Sequence, residues 1–498
     1  MRSIKSKFAS VEFKNSSIGL LSQAISIVLL FVSRSVFIEM LGVQLLGING
    51  TFTSILNALS LAELGFQSAI VYCLYGPLNQ KDYEQVNDII NIIRRVYEGV
   101  AVFIIVASFV VLPFLQFVLK DVEITREIYI FFLLQSLATA ASYILGYRRT
   151  ILYADKKEYI SKITDTVSNL LFTIGKIVIL MVWQNYYLYL ILQILQIFIA
   201  NIIIYVISSR NYTYLKKKKI NKELFQKVFD YVKDVFVGRI AGYIYSSTDN
   251  IVVSTLIGAT TVGVLGNYSL VASNLKTLSS AMLNPLTPII GNALAVESES
   301  KNKKKLFESY TKIRFVIAVL LVVPMVILID DFVKMYAGQK YLLGSSITWL
   351  FAIDLYIHVV HSVCCDFING EGVFKPERNI EIAGAVCNIV LSVILTFFIG
   401  LQGVLLGTVI SQFLFWIGRS WLVYRRILQE EVKEYIRYAL QNIIYFVILM
   451  LCFMVAKKLY AILPQMSVWL KMICGGFLVE GICILLLLII ERIHGFRR

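Results

Sequence analysis

Along nearly its whole length the chain repeats apolar stretches long enough to cross a bilayer, joined by mostly short loops. A hydrocarbon core about 30 Å thick needs about 20 residues of helix to span it. No water is available there to satisfy backbone polar groups, so each stretch has to form its hydrogen bonds internally, as a helix. Of the 498 residues, 58% are hydrophobic and only 16% are charged, against roughly 25% charged in soluble domains. These properties exclude a soluble globular enzyme and predict an all-α integral membrane protein.

The apolar pattern predicts fourteen spans, at 15–40, 44–75, 96–119, 127–147, 160–182, 187–209, 234–257, 262–294, 312–334, 344–370, 379–400, 402–424, 438–460 and 467–490. Every second loop is basic: Arg94/Arg95, Arg148/Arg149 with Lys156/Lys157, Lys216 to Lys219, Lys301 to Lys305, Lys375/Arg378, Arg425/Arg426 and Arg497/Arg498. The intervening loops are short and poor in basic charge, Lys457 and Lys458 marking the weakest of them. Under the positive-inside rule this alternation places both termini in the cytoplasm. The net charge of +15 is therefore read as loop charge and not as a nucleic-acid surface. No cleavable signal peptide is expected, because the apolar run after the basic start is too long for one. Most of the seven Cys, among them Cys387, Cys452, Cys474 and Cys483, fall in apolar spans and read as small buried thiols.

The first half of the pattern recurs. Gly42, Gly47, Gly50 and Phe52 are matched by Gly258, Gly263, Gly266 and Tyr268, each displaced by 216 residues. The same displacement carries the end of the sixth span, near Ser209, onto the end of the twelfth, near Arg425. This predicts a six-helix bundle at 1–210, its repeat at 217–426, and an additional transmembrane helix pair at 438–490. An even number of helices per repeat makes the two bundles parallel, related by an axis along the membrane normal. Glycine permits tight turns and close helix approach. Two such bundles enclose a central cleft.

Charges inside spans mark functional candidates, since one at mid-bilayer costs at least about 2.5–3.5 kcal/mol. Arg34 continues a partly polar face through Ser26 and Gln23 in the first span. Glu63 shares a face with Asn57, Ser60 and Gln67 in the second. Arg239 and Asp249 lie on the seventh, which is polar along one side through Tyr243, Ser246 and Asn250. Lys276 lies deep in the eighth, ahead of Pro285 and Pro288, which interrupt helical hydrogen bonding. Asp165, Asn169 and Lys176 share a face of the fifth; Asp165 and Lys176 are about 16 Å apart along the axis, too far to pair. The tenth carries Asp354, His358, His361 and Cys365 on one face, with Asp366 nearby. A water-lined stripe with titrating histidine fits these residues better than a metal site. Arg419 reads as a snorkelling anchor near the inner end of the twelfth.

Arg239, Lys276, Lys176 and Arg34 together form a ladder of cations suited to an anionic cargo. Arginine in particular matches phosphate oxygens through paired hydrogen bonds. Asp249, Glu63 and Asp354 are the candidates for ion coupling. No cofactor is expected beyond a coupling Na+ or H+.

The stretches GVQLLGINGTFTSILNALSLAELG (42–65) and SSTDNIVVSTLIG (246–258), with the Gly400, Gly403 and Gly407 junction, resemble bacterial polysaccharide-unit flippases. These belong to the multidrug/oligosaccharidyl-lipid/polysaccharide exporter (MOP) superfamily. The resemblance covers the whole twelve-helix core and marks the superfamily better than the cargo. It implies the fold of multidrug exporters and lipid II flippases, and location in the bacterial cell membrane. It also implies export of undecaprenyl-diphosphate-linked oligosaccharide units by alternating access, with embedded basic residues contacting the diphosphate and sugar. Related lipid II flippases carry a sodium site on their seventh and eleventh helices; Asp249 and Asn388 stand at the matching places. Ser392 stands where a second carboxylate is expected, a departure that bears on sodium coupling.

Two other readings compete. A multidrug exporter of the same superfamily would favour carboxylates over Arg and Lys in its cleft. A membrane polysaccharide polymerase or ligase would need a substantial outer loop, and the expected outer loops are short. The expected partners are the lipid-linked oligosaccharide, membrane lipid and polysaccharide polymerase or chain-length machinery, with no nucleic acid.

Overall fold

The computed structural model describes residues 2–60, 66–218, 223–226, 248–283, 286–296, 300–463 and 467–493. All regular structure among them is helical. The helices are α1 (Arg2–Leu59), α2 (Phe66–Gln80), α3 (Tyr83–Val111), α4 (Leu115–Val118), α5 (Arg126–Tyr143), α6 (Arg149–Ala154), α7 (Glu158–Trp183), α8 (Tyr186–Asn211) and α9 (Asp249–Leu256). They continue with α10 (Ala259–Leu283), α11 (Thr287–Val296), α12 (Ser300–Tyr336), α13 (Ser345–Glu371), α14 (Phe374–Ile399), α15 (Leu401–Leu422), α16 (Val432–Ile462) and α17 (Val468–Ile493). Among the described residues, 11 segments are long and apolar enough to cross a membrane. This is a multi-pass membrane protein. The first expected span and the first part of the second share α1, broken only at Gly42, where φ is 84°; the second span's last residues, 66–75, lie in α2. The expected seventh span lies largely outside the described residues, and the eighth is divided between α10 and α11.

The 216-residue displacement reappears in the backbone. Helix α7 runs from 158 to 183 and α14 from 374 to 399, so both ends are displaced by the same amount. Positive φ recurs in the same register at Gly42 and Gly258, at Lys156 and Gly372, and at Gln184 and Gly400. These positions end helices or break them, so the matching turns share a positive φ.

Contacts divide the chain into two units, Met1–Gly263 and Val264–Arg498, the division falling within α10. In unit 1, α7 packs against α1 and α8, and α5 against α3 and α8. Val102, Phe103, Val106, Phe109 and Val110 of α3 are exposed, as a lipid-facing surface requires. The strap after α8 is held by α3: Asn87 accepts from the Lys216 N–H, and Asn91 accepts from the Lys218 N–H while donating to the Lys216 carbonyl.

Unit 1 also contains a reciprocal crossing of the two glycine motifs. A Cβ on Gly47 would meet the Ala259 carbonyl oxygen at 1.7 Å and the Gly263 nitrogen at 2.9 Å. A Cβ on Gly263 would meet the Val43 carbonyl oxygen at 2.2 Å and the Gly47 nitrogen at 3.0 Å. Val43 and Ala259 are themselves related by the displacement, so the contact is symmetric and only glycine fits either side. Beside it, the loop after α4 grips the break between α9 and α10. Lys120 donates to the Leu256 carbonyl at the α9 C-terminus, 2.7 Å away. Asp121 accepts from the Ala259 and Thr260 N–H groups at the α10 N-terminus, at 2.5 and 3.0 Å. The cation thus sits at the negative end of one helix dipole and the carboxylate at the positive end of the next.

In unit 2, α14 and α15 form a close hairpin. Gly403 meets the Leu395 carbonyl and Gly407 meets Ser392, each so near that a Cβ would lie within 3 Å. Helix α13 is the spine: most of its residues between Ile347 and Ile368 are buried, and α11, α12 and α15 pack around it. The additional pair, α16 and α17, packs on α12.

Two expectations follow. Gly47→Ala or Gly263→Ala forces two backbones apart and should destabilise the protein by about 1–3 kcal/mol, seen as a lower Tm in detergent. Gly50→Ala, whose Cβ would make only ordinary contact with Val262 at 3.4 Å, is the control. Burial pushes the Asp121 carboxyl up, but hydrogen bonds from Thr260 and Ala259 outweigh it and hold it below its ordinary value. A depressed carboxyl contributes stability above the ordinary carboxylate range, about pH 4, and loses it as pH falls through the lowered value. Asp121→Ala should cost about 1 kcal/mol or less near neutral pH, and its stability difference from wild type should shrink on acidification as pH falls through that lowered value.

Candidate functional site

Each unit carries its own polar centre within the spans. In unit 2 the centre is built on α13, whose burial obliges its polar side chains to find partners among neighbouring helices. Asp354 accepts from Lys276 of α10 at 2.5 Å and from the Gln412 amide of α15. The Lys276 and Asp354 side chains are 27% and 11% exposed. Two turns on, His361 lies 3.4 Å from an Arg419 nitrogen. Arg419 pairs with Glu377 at 3.0 Å and Glu381 at 2.7 Å, both on α14. Asp366 pairs with Arg314 of α12, and accepts from Tyr310 at 2.9 Å and Thr287 at 3.0 Å. Arg314 further donates to the Val359 carbonyl at 3.1 Å. Three ion-paired clusters therefore bind α13 and α15 to their neighbours.

In unit 1 the chemistry is more neutral. Arg149 makes a two-pronged bond to Asp165, at 2.6 and 2.8 Å. Its Nε and Nη2 also donate to Asn201. Lys176 is buried, 8% exposed. It donates to the neutral Gln196 oxygen at 2.9 Å and lies 5.4 Å above the Tyr189 ring. Arg34 is half-buried and donates to the Gly263 carbonyl at 3.4 Å.

A sequence-family profile described as polysaccharide biosynthesis protein matches residues 13–294, more than half of the chain. The chain belongs to this family. Among solved structures, the lipid II flippase MurJ in an inward closed conformation is similar at TM-score 0.68 and 15% identity, covering 96% of this chain and 98% of that one. An inward-facing MATE multidrug resistance transporter of the MOP superfamily is similar at 0.60 and 15%, covering 81% and 94%. The Vibrio cholerae MATE transporter VcmN in its bent form is similar at 0.53 and 13%, covering 85% and 98%. Comparison with curated protein sequences finds no significant match. At these identities the likeness is one of fold. The fold is the one these membrane transporters and this flippase share.

Within this member of the polysaccharide biosynthesis family, the expected site residues fall as follows. Lys276 and Asp354, assigned to cargo and ion coupling separately, are partners in one ion pair. Lys176 and Arg34 lie in unit 1, and Lys176 turns toward Gln196. Asp249 opens α9, half-buried, beside Asn250, which donates to Ser54 at 3.0 Å. Asn388 is fully buried; its amide nitrogen donates to Thr408, while its Oδ1 accepts no hydrogen bond among the described residues. Glu63 and Arg239 lie outside the described residues.

Sequence reasoning put Arg419 at the interface as a snorkelling anchor; instead it is 12% exposed and ion-paired. It also counted Arg148 and Arg149 as loop charges. Both turn inward, Arg148 to the Tyr205 ring at 5.0 Å and Arg149 to Asp165. Arg314 it did not single out, since the residue stands at the edge of its apolar segment. The one signal was Tyr310 four residues earlier, on the same helical face.

Removing one member of a buried pair strands the other, which costs roughly 3 kcal/mol or more, whereas replacing both is close to neutral. Lys276→Met alone should therefore lower stability by about 3 kcal/mol, and Lys276→Met with Asp354→Leu should recover most of it. Denaturation of the two singles and the double in detergent measures the coupling.

Proposed function

We propose that the protein is a flippase that moves undecaprenyl-diphosphate-linked oligosaccharide repeat units from the inner to the outer leaflet by alternating access. The family match and the transporter fold support a MOP-type exporter. In this reading the six-helix bundles at 1–210 and 217–426 are the transporting repeats, 438–490 is an additional helix pair, and both termini are cytoplasmic. Polysaccharide polymerase or chain-length machinery would receive the exported unit.

The observation that carries the cargo class is Lys276, an ammonium held inside the membrane against Asp354. A cationic drug would need that carboxylate free. A diphosphate instead competes with it for the ammonium. Arg34, Arg239 and Lys276 hold the diphosphate in this reading, and Lys176 serves the sugar. Cargo that draws Lys276 away leaves Asp354 as a buried, uncompensated carboxylate, which favours uptake of a proton or sodium ion. Cargo and ion thereby bias the same conformational equilibrium through differential affinity. Asp249, Glu63 and the Asn388 oxygen are the further candidates for the coupling ion.

Deletion of the gene in its host should abolish a surface glycan and leave complete lipid-linked repeat units on the inner leaflet. Arg34→Ala with Lys276→Ala should reproduce that accumulation in a leaflet-resolved assay. Unchanged glycan with raised sensitivity to cationic drugs would move the assignment to multidrug export. Unpolymerised units collecting on the outer leaflet would indicate a polymerase or ligase.

A further inference from the structure

Unit 1 contains a cavity of about 380 Å³ among α1, α6, α7 and α8 whose walls include Ser26, Arg149, Asp165, Asn169, Gln196 and Asn201. Its size falls in the range of small-molecule sites, about 300–1,000 Å³. A wall of hydroxyls, amides and a carboxylate inside a membrane bundle is costly unless something polar occupies it.

The hydrogen bonds decide what that occupant is. Among the described residues of this wall Arg149 is the one cation, and it is spent on Asp165 and Asn201. Asn201 is spent as well, since its amide nitrogen donates to the carbonyls of Ala141, Ser142 and Ile144. A phosphate would find no free cationic donor here and would face the Asp165 carboxylate. A free cation would find that carboxylate already neutralised. What remains is a set of neutral donors and acceptors with spare carboxylate lone pairs; Asp165 is 48% exposed. Such a set matches the vicinal hydroxyls of a sugar ring, which both donate and accept.

Lys176 sets the polarity of this wall from behind. Its ammonium can only donate, so it fixes the oxygen of Gln196 toward itself. The Gln196 nitrogen then donates to the Asn169 oxygen at 3.4 Å, which also accepts from Thr173 at 3.1 Å. Both amides are thereby oriented, and among the described residues the Asn169 nitrogen is left as an unspent donor on the cavity wall.

We propose that this cavity is a saccharide subsite in which Asn169 and Asp165 hydrogen-bond a sugar of the cargo, with Lys176 as the positioning residue that orients Gln196 and Asn169. The inference rests on the flippase reading and adds to it the place where the glycan, as distinct from the diphosphate, is recognised.

The test uses the full-length protein in lipid nanodiscs and two probes. One is bare undecaprenyl diphosphate; the other is glycosylated undecaprenyl diphosphate extracted from the host lacking this gene. The wild type should bind the glycosylated lipid more tightly. Asn169→Leu, and Ser26→Phe as a cavity-filling variant that leaves the amide chain in place, should each weaken glycosylated-lipid binding about five- to tenfold and leave bare-lipid binding unchanged. Lys176→Met should lower the ratio of the two affinities in the same direction, which a loss of general stability would not do. Equal binding of both lipids by the wild type, or undiminished glycosylated-lipid binding in both wall variants, overturns the subsite and leaves the flippase reading standing. Failure of the wild type to bind either lipid overturns both.

Discussion

Inside hydrocarbon, every charged or polar group has to find its partner within the protein, and most of this architecture follows from that demand. Arg149 meets Asp165 and Asn201, Arg314 meets Asp366 and Tyr310, Arg419 meets Glu377 and Glu381, and Lys276 meets Asp354 and Gln412. Each cluster joins separate helices, so satisfying the charges also specifies which of their faces meet. Lys176 departs from this pattern. Its hydrogen bond goes to a neutral amide, and a buried cation whose partner carries no charge retains its field.

Backbone packing supplies the second constraint. At Gly47 and Gly263 two chain segments touch with no side chain between them, and Val43 and Ala259 repeat the contact in reverse. Steric exclusion of Cβ is a short-range, all-or-none condition, so such a crossing is either closed or absent. The grip of Lys120 and Asp121 on the two helix ends beside it is electrostatic and directional. A protein that alternates between conformations benefits from contacts that are specific when made yet rest on few atoms. The crossing and the grip have that character.

The two polar centres differ in chemistry. That of unit 2 is built from ion pairs, with Asp354 shared between an ammonium and an amide. That of unit 1 is built from amides and hydroxyls around an already neutralised arginine. Ion pairs respond to charged ligands by exchange, whereas a neutral amide wall responds to hydroxyls by hydrogen bonding. A cargo with an anionic and a glycosidic part would find complementary chemistry in one protein.

Apolar length and loop charge determined from sequence alone that the chain is a bundle of membrane helices, because the bilayer permits few other solutions. The glycine register determined the 216-residue displacement, since positive φ favours glycine and close approach demands it; α7 and α14 and the Gly47–Gly263 contact follow that register. Sequence also flagged Lys276, Asp354 and Lys176 as costly embedded charges. Only the tertiary structure decided which partner each one takes. Arg149 looked like a loop charge and Arg419 like an interfacial anchor because hydropathy reports depth, not direction. Whether a long cationic side chain snorkels outward or turns inward depends on what the neighbouring helices offer. For Arg149 that is Asp165, 16 residues on, and for Arg419 it is Glu381, 38 residues back. Such choices are set by helix packing, which no local pattern encodes.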